Sequence, residues 1–178
     1  IKDQIQPSSI DLSLSEECYE IKHSFLSYNS KVRDKLKDLA VKKINLSKEF
    51  IFRKNKTYIV KLNESLNLKN NIFGHCNPKS STGRLDIFCR TILDNSNEYE
   101  KIPFKYKGEM FIEVTCKSFN IKFCEGDSLN QMRLAYNKNI YLNDSQLKKI
   151  NNKKKLCFSK RKAIFENGLK LTIDLSNN

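Results

Sequence analysis

The apolar residues of this chain fall mostly into short alternating runs. In "IQPSSIDLSLS" (5–15), Ile10, Leu12 and Leu14 point one way and Asp11 and Ser13 the other, the pattern of a half-buried strand. "SKVRDKLKDLAVKKI" (30–44) changes period: Val32, Leu36, Leu39 and Ala40 form one helical stripe behind Ser30 as N-cap. "EFIFRKNKTYIVKL" (49–62) reads as two strands about a polar turn, and "LDIFCRTIL" (85–93) as another strand. In "EMFIEVTC" (109–116), Met110, Ile112, Val114 and Cys116 share one face, and Phe111, Glu113 and Thr115 the other. Two more strands flank "EGD" in 119–136, a short helix is predicted over 144–150, and a last strand over 168–175. Many short strands without a strand–helix rhythm predict one mainly β domain over residues 1–178. The expected form is a distorted barrel or jelly roll with one or two short helices.

Composition narrows the chemistry. A hydrophobic share of 39% is enough to fill a core. No apolar run approaches the roughly 18 residues of a membrane span, and no charged-then-apolar leader opens these residues. The start at Ile1 and the polar end "LSNN" suggest a piece of a longer protein. The net charge of +13 invites a nucleic-acid reading, but 27 lysines stand against 6 arginines beside 20 asparagines. No arginine cluster or aromatic stacking motif accompanies them, so the lysines read as a solvated surface and "NNKKKL" as a loop. A basic nucleic-acid module remains the alternative from another class, and steeply salt-dependent oligonucleotide binding would reveal it. The six cysteines form no C-x-x-C pair, which suits buried thiols and a reduced, cytoplasmic setting. His23 and His75 lack partners at metal-ligand spacing, so no zinc site is expected.

The candidate chemistry gathers in "GHCNPKSSTGRLDIFCR" (74–90). A P-loop needs G-x-x-x-x-G-K-[ST]; here the second glycine is missing and Pro78 precedes Lys79. A single helical turn capped by Ser80 or Ser81 and running to Arg84 suits the residues better, since a helix start offers N–H groups to an anion. Lys79 adds a point charge and Arg84 a planar fork for oxygens, while Gly83 permits close approach. A capped turn with two solvated basic residues is the plain alternative. Arg84, Arg90 and Arg133 lie within one 50-residue span of a lysine-rich chain, which fits roles that lysine cannot fill. Glu113 sits in an apolar strand, where an unpaired carboxylate is costly. It must face solvent, pair with a cation such as an arginine, or occupy a ligand cleft.

Together, "IQPSSIDLSL", "PKSSTGRLDIF", "KGEMFIEVT" and "EGDSLNQMRL" resemble, in order and spacing, the dCTP deaminase branch of the dUTPase-like superfamily over residues 5 to 136. "FLSYNSKVRDKLKDLAVKKINL" and "YKGEMFIEV" are similar to the N-terminal half of the long bacterial form, in which two such domains lie in tandem. The resemblance implies a dUTPase-like barrel assembled as a trimer or pseudo-trimer, with active sites between neighbouring domains. It implies zinc-independent hydrolysis of dCTP to dUTP and ammonia, and the zinc-deaminase pattern H-x-E…P-C-x-x-C is absent here. By match to the motifs, Glu113 is the proton-transferring carboxylate, with Ser80 and Arg84 positioning water and stabilising charge. Lys79, Ser81, Thr82, Gly83 and the 79–84 backbone hold the triphosphate with its Mg2+. The backbone of Phe111 and Ile112 reads the cytosine edge or sugar, and Gln131 binds the nucleotide or supports the loop. dTTP is the implied inhibitor.

Two departures leave alternatives open. Where the family carries an aspartate before a proline, this chain has Ile102–Pro103, and no tyrosine–lysine–glutamine tail follows Leu156. A non-catalytic nucleotide-binding or structural half therefore stands beside the deaminase. A dUTP diphosphatase ranks below both, since Asp94 is its one candidate aspartate in 92–108 and is misplaced.

Overall fold

The computed structural model describes residues 2–136, 142–157, 162–166 and 168–171. The chain divides into two compact units, Ile1–Tyr136 and Asn137–Asn178. In the first, a 3-10 turn at Lys2–Gln4 precedes β1 (Ile10–Leu12), β2 (Leu14–Ile21), α1 (Val32–Leu39) and β3 (Ala40–Asn45). There follow β4 (Phe50–Phe52), β5 (Thr57–Asn67), β6 (Ile72–Pro78), α2 (Ser80–Arg84) and β7 (Ile87–Leu93). β8 (Lys101–Ile102), β9 (Lys107–Cys116), β10 (Ile121–Phe123) and β11 (Asn130–Tyr136) complete the unit.

One sheet has the order β1-β11-β6-β8, a second the order β3-β2-β5-β9-β7, and β4 pairs with β10. Every pairing is antiparallel. The fold is mainly β, as expected, but among the described residues the sheets face each other without closing, so it is a jelly-roll sandwich rather than a closed barrel.

The alternation in β9 explains how the sandwich is filled. Met110, Ile112, Val114 and Cys116 enter the main core with Leu12, Leu14, Tyr58, Val60, Cys76 and Met132. Phe111, on the other face, joins Ile21, Ile59 and Ile92 under Phe25, Val32 and Leu36. β9 is therefore buried on both sides, and its odd-numbered face lies beneath the segment that carries α1. Phe52 anchors one end of the main core: fully buried, it lies 4.2 Å from the Tyr58 ring and 4.9 Å from Phe123. Replacing it with alanine removes a large buried ring and leaves a cavity, so Phe52→Ala is expected to cost about 3–5 kcal/mol in urea unfolding.

α1 is shorter than its apolar stripe suggested. It ends at Leu39, and Ala40 already belongs to β3. Ser30 is not its cap, because its hydroxyl donates to Ser27 O instead. The cap comes from a distant part of the chain: Val32 N donates to Asp94 Oδ1 at 2.8 Å. Ser27 Oγ also donates to Leu93 O, and Asn95 N to Ser30 O. The aspartate that looked misplaced thus binds α1 to the end of β7, a contact between residues 62 positions apart.

From α1, Arg33 forks between Glu17 on β2 and Glu109 on β9 with bonds of 2.6–3.0 Å. Bonding to Arg33 holds both carboxyls below their ordinary range. Groups with lowered values stabilise the fold above the ordinary glutamate range, and that contribution is lost as pH falls through the lowered values. Arg33 is 40% exposed, so Arg33→Met is expected to cost only about 1 kcal/mol at neutral pH. In melts taken from pH 7 downward, the variant should show a shallower acid-side loss than the wild type.

The second unit holds α3 (Asp144–Lys153) and the hairpin of β12 (Ile164–Phe165) with β13 (Leu169–Lys170). α3 opens on a reciprocal cap in which Gln146 N donates to Asn143 Oδ1 and Asn143 N to Gln146 Oε1. It runs three residues past the predicted end, so the first part of "NNKKKL" is helix rather than loop. The strand predicted over 168–175 is present at Leu169–Lys170, and its part from 172 onward lies outside the described residues.

Candidate active site

β6 ends at Pro78, and the chain turns at once into α2. Lys79, in extended conformation, is the residue before the helix and gives it no side-chain cap. Ser80 and Ser81 are therefore the first helical residues rather than caps, and both are exposed. The turn is fastened from behind: Lys79 N and Thr82 Oγ1 both donate to Leu129 O, at 3.0 and 2.9 Å.

A cleft of about 400 Å3 opens in front of this turn, lined by Lys79, Ser80, Ser81 and Arg84 together with Gln6, Ser9, Asp11 and Gln131. β1 and β11 bring the last residues in, since Asp11 stands opposite Gln131 in their ladder. Lys79 Nζ donates to Asp11 Oδ2 at 2.5 Å, and Ser9 Oγ to Gln131 Oε1 at 3.0 Å. Arg84 is exposed and, among the described residues, makes no ion pair. Its guanidinium is therefore available to an oxyanion in the cleft.

Three residues read as nucleotide contacts stand elsewhere. Thr82 is buried and its hydroxyl is spent on Leu129, so its side chain supports the turn from within. Phe111 and Ile112 lie in the middle of β9, between ladder partners on β5 and on β7. Their peptide groups face those strands, so they are not presented to a cytosine or a sugar. Gly83 has open space around the position of a Cβ, with no close neighbour in the fold.

Glu113 does not line this cleft. It lies on the odd-numbered face of β9, 1% exposed, opposite Arg90 in the ladder with β7. Arg90 donates from Nε (3.2 Å) and Nη2 (2.6 Å) to Glu113 Oε1. Glu113 Oε2 is buried and has no hydrogen-bond partner among the described residues. The guanidinium is itself held over the Tyr99 ring at 3.8 Å and the Phe88 ring at 4.9 Å, and Tyr99 OH donates to Phe25 O. Burial, and then the Glu113 charge, pushes the Tyr99 phenol up. Of the three fates open to Glu113, pairing with an arginine is the one observed.

The half-buried carboxyl of Glu100 was not singled out in the sequence. Glu100 accepts from Thr91 N and from the fully buried Asn130 amide, and burial pushes its carboxyl up. Asn130 precedes Gln131 and accepts from its N–H, so this network braces the strand that reaches the cleft. Gln6, Ser9 and Asp11 were also missed as lining residues, although they lie inside the quoted "IQPSSIDLSL".

The domain so defined is a β-sandwich with a hydroxyl- and cation-lined cleft at one place and a buried glutamate paired with a half-buried arginine at another. Residues 1–138 match the family described as 2'-deoxycytidine 5'-triphosphate deaminase (DCD) N-terminal domain, and the chain belongs to that family. The solved 2'-deoxycytidine 5'-triphosphate deaminase from Agrobacterium tumefaciens is similar to it at 37% identity and a TM-score of 0.75. That match covers 86% of this chain and 46% of the other, so the chain spans about half of that protein's length. The EIAV dUTPase aligns at 20% identity and a TM-score of 0.42, over 56% of this chain and 77% of its own. Among curated protein sequences, none matches.

Proposed function

We propose that this chain is one wall of a dCTP deaminase, working with a tandem or neighbouring domain of the same fold. The observation that carries this is the 79–84 cleft, with Lys79, Ser80, Ser81 and Arg84 on one wall, in a chain of the dCTP deaminase N-terminal family. Lys79 and the 79–84 backbone hold the triphosphate, helped by Ser81, while Ser80 and Arg84 position water and stabilise developing charge. Gln131 is assigned to orienting the nucleotide. Glu113 lies outside the cleft of its own chain, so a complete site combines the cleft of one domain with the Glu113 of another.

In that site, water adds to C4 of the cytosine and Glu113 takes its proton. The carboxyl passes the proton to N3, and a second transfer carries the hydroxyl proton to the amine. Ammonia leaves, the C4 carbonyl forms, and Glu113 ends as it began. Water is the only co-reactant, and the proton transfers are assigned to Glu113 rather than to zinc. Among the residues lining the cleft, Asp11 is the one carboxylate, and one of its oxygens is bound to Lys79. Hydroxyl, amide and carboxylate oxygens suit Mg2+, which is assigned to the triphosphate and neutralises its charge when bound, with Asp11 as the carboxylate ligand the cleft offers. dTTP is assigned to the same cleft as an inhibitor.

Complementation tests the shared site. In the full-length protein, Arg84→Ala and Glu113→Gln variants are each expected to be nearly inactive. Mixing them under conditions of subunit exchange is expected to restore release of dUTP and ammonia, because some sites then receive both native residues. No recovery despite exchange would contradict a site shared between chains.

A non-catalytic half has its own supporting observation, the closure of Glu113 beneath Arg90 and Tyr99. Retained dCTP binding with no effect of Glu113→Gln on the turnover of the full-length protein would favour it.

A further inference from the structure

The Arg90–Glu113 pair is asymmetric in a way that bears on proton transfer. Both bonds from the guanidinium fall on the same carboxylate oxygen, Oε1. The other oxygen is equally buried and has no donor. An acceptor left unsatisfied in the interior carries a standing cost, which native folds rarely tolerate without a function for the group. The guanidinium, 27% exposed, is oriented toward Oε1 by its ring contacts. The Tyr99 and Phe88 rings confine it, and Tyr99 is tied through its hydroxyl to Phe25 O. A lysine would offer a single swivelling ammonium, whereas the planar fork fixes an orientation.

We propose that Arg90 is the positioning residue of the deaminase site: it immobilises Glu113 Oε1 and leaves Oε2 as the oxygen that accepts and returns the proton. This rests on Glu113 being the proton-transferring group. Arg90 gives up no proton and does not touch the nucleotide. The unmet acceptor is filled in the working site by the attacking water and then by the N–H groups of the tetrahedral adduct. Oε2 thus gains its bonds as the proton moves rather than when dCTP first binds, the condition for lowering a barrier rather than only tightening binding.

The test uses the full-length protein with Arg90→Gln, Arg90→Lys and Glu113→Gln variants. kcat, KM and direct dCTP binding are measured for each. Misplacing a reacting group by about 1 Å costs on the order of 100-fold. Arg90→Gln is therefore expected to lose about that factor in kcat with KM and dCTP binding unchanged. Arg90→Lys should fall between Arg90→Gln and wild type.

Thermal melts add a readout independent of turnover. Arg90→Gln should be less stable than the double variant Arg90→Gln/Glu113→Gln, because the single change strands a buried carboxylate. If Arg90→Gln does not fold, Arg90→Lys carries the kinetic test, since one ammonium cannot reproduce the two bonds to Oε1. A full kcat in the folded Arg90 variants beside an inactive Glu113→Gln would overturn the positioning role and leave Glu113 as the base. A loss of dCTP affinity matching the loss of kcat would overturn it by making Arg90 a binding residue. An active Glu113→Gln would remove the base and the positioning role together.

Discussion

Glu113→Gln in the full-length protein is expected to lower the rate of dCTP deamination by about 100- to 10,000-fold, the range lost with a general acid–base group. The substitution separates proton transfer from structure. A glutamine side chain keeps an oxygen to accept the two bonds from Arg90, so the fold should survive and dCTP binding should persist. What it lacks is the capacity to take a proton from water and return it. Turnover close to wild type would remove Glu113 from the chemistry and leave its burial beneath Arg90 as a structural pairing.

The second large effect is expected at Arg84. Its guanidinium lines the cleft, is exposed and is unpaired among the described residues. Arg84→Ala should therefore leave the melting temperature nearly unchanged. In its proposed role the fork stabilises charge that grows during reaction, and the expected loss in kcat is about 100- to 1,000-fold. Arg84→Lys should recover little of it, because a point charge cannot make the paired contacts. Steady-state kinetics with dCTP and Mg2+ decide the matter, and unchanged kcat/KM in Arg84→Ala would make Arg84 a solvated surface residue.

How far these sites were legible depends on how local their determinants are. Strand positions followed from alternation, and β9 shows why: Met110, Ile112, Val114 and Cys116 face the main core as their spacing requires. The same alternation says nothing of what covers the other face, and the pairing of Glu113 with Arg90 follows only from the ladder between β7 and β9. Pattern alone does not show that β9 has neighbours on both sides, so it does not reveal that Phe111 and Ile112 have ladder partners on both β5 and β7. Local pattern points to Ser30 as the cap of α1, whereas the cap comes from Asp94 through tertiary folding. Likewise, Gln6, Ser9 and Asp11 join the cleft only because β1 pairs with β11. The turn at 79–84 was readable because its chemistry is contained in six consecutive residues.

One measurement bears most directly on the central claim: the products formed from dCTP and Mg2+ by the full-length protein that contains this chain. The account predicts ammonia and dUTP in equal amounts, with no release of pyrophosphate. Intact dCTP at saturating occupancy, or dCMP with pyrophosphate in place of ammonia, would contradict it.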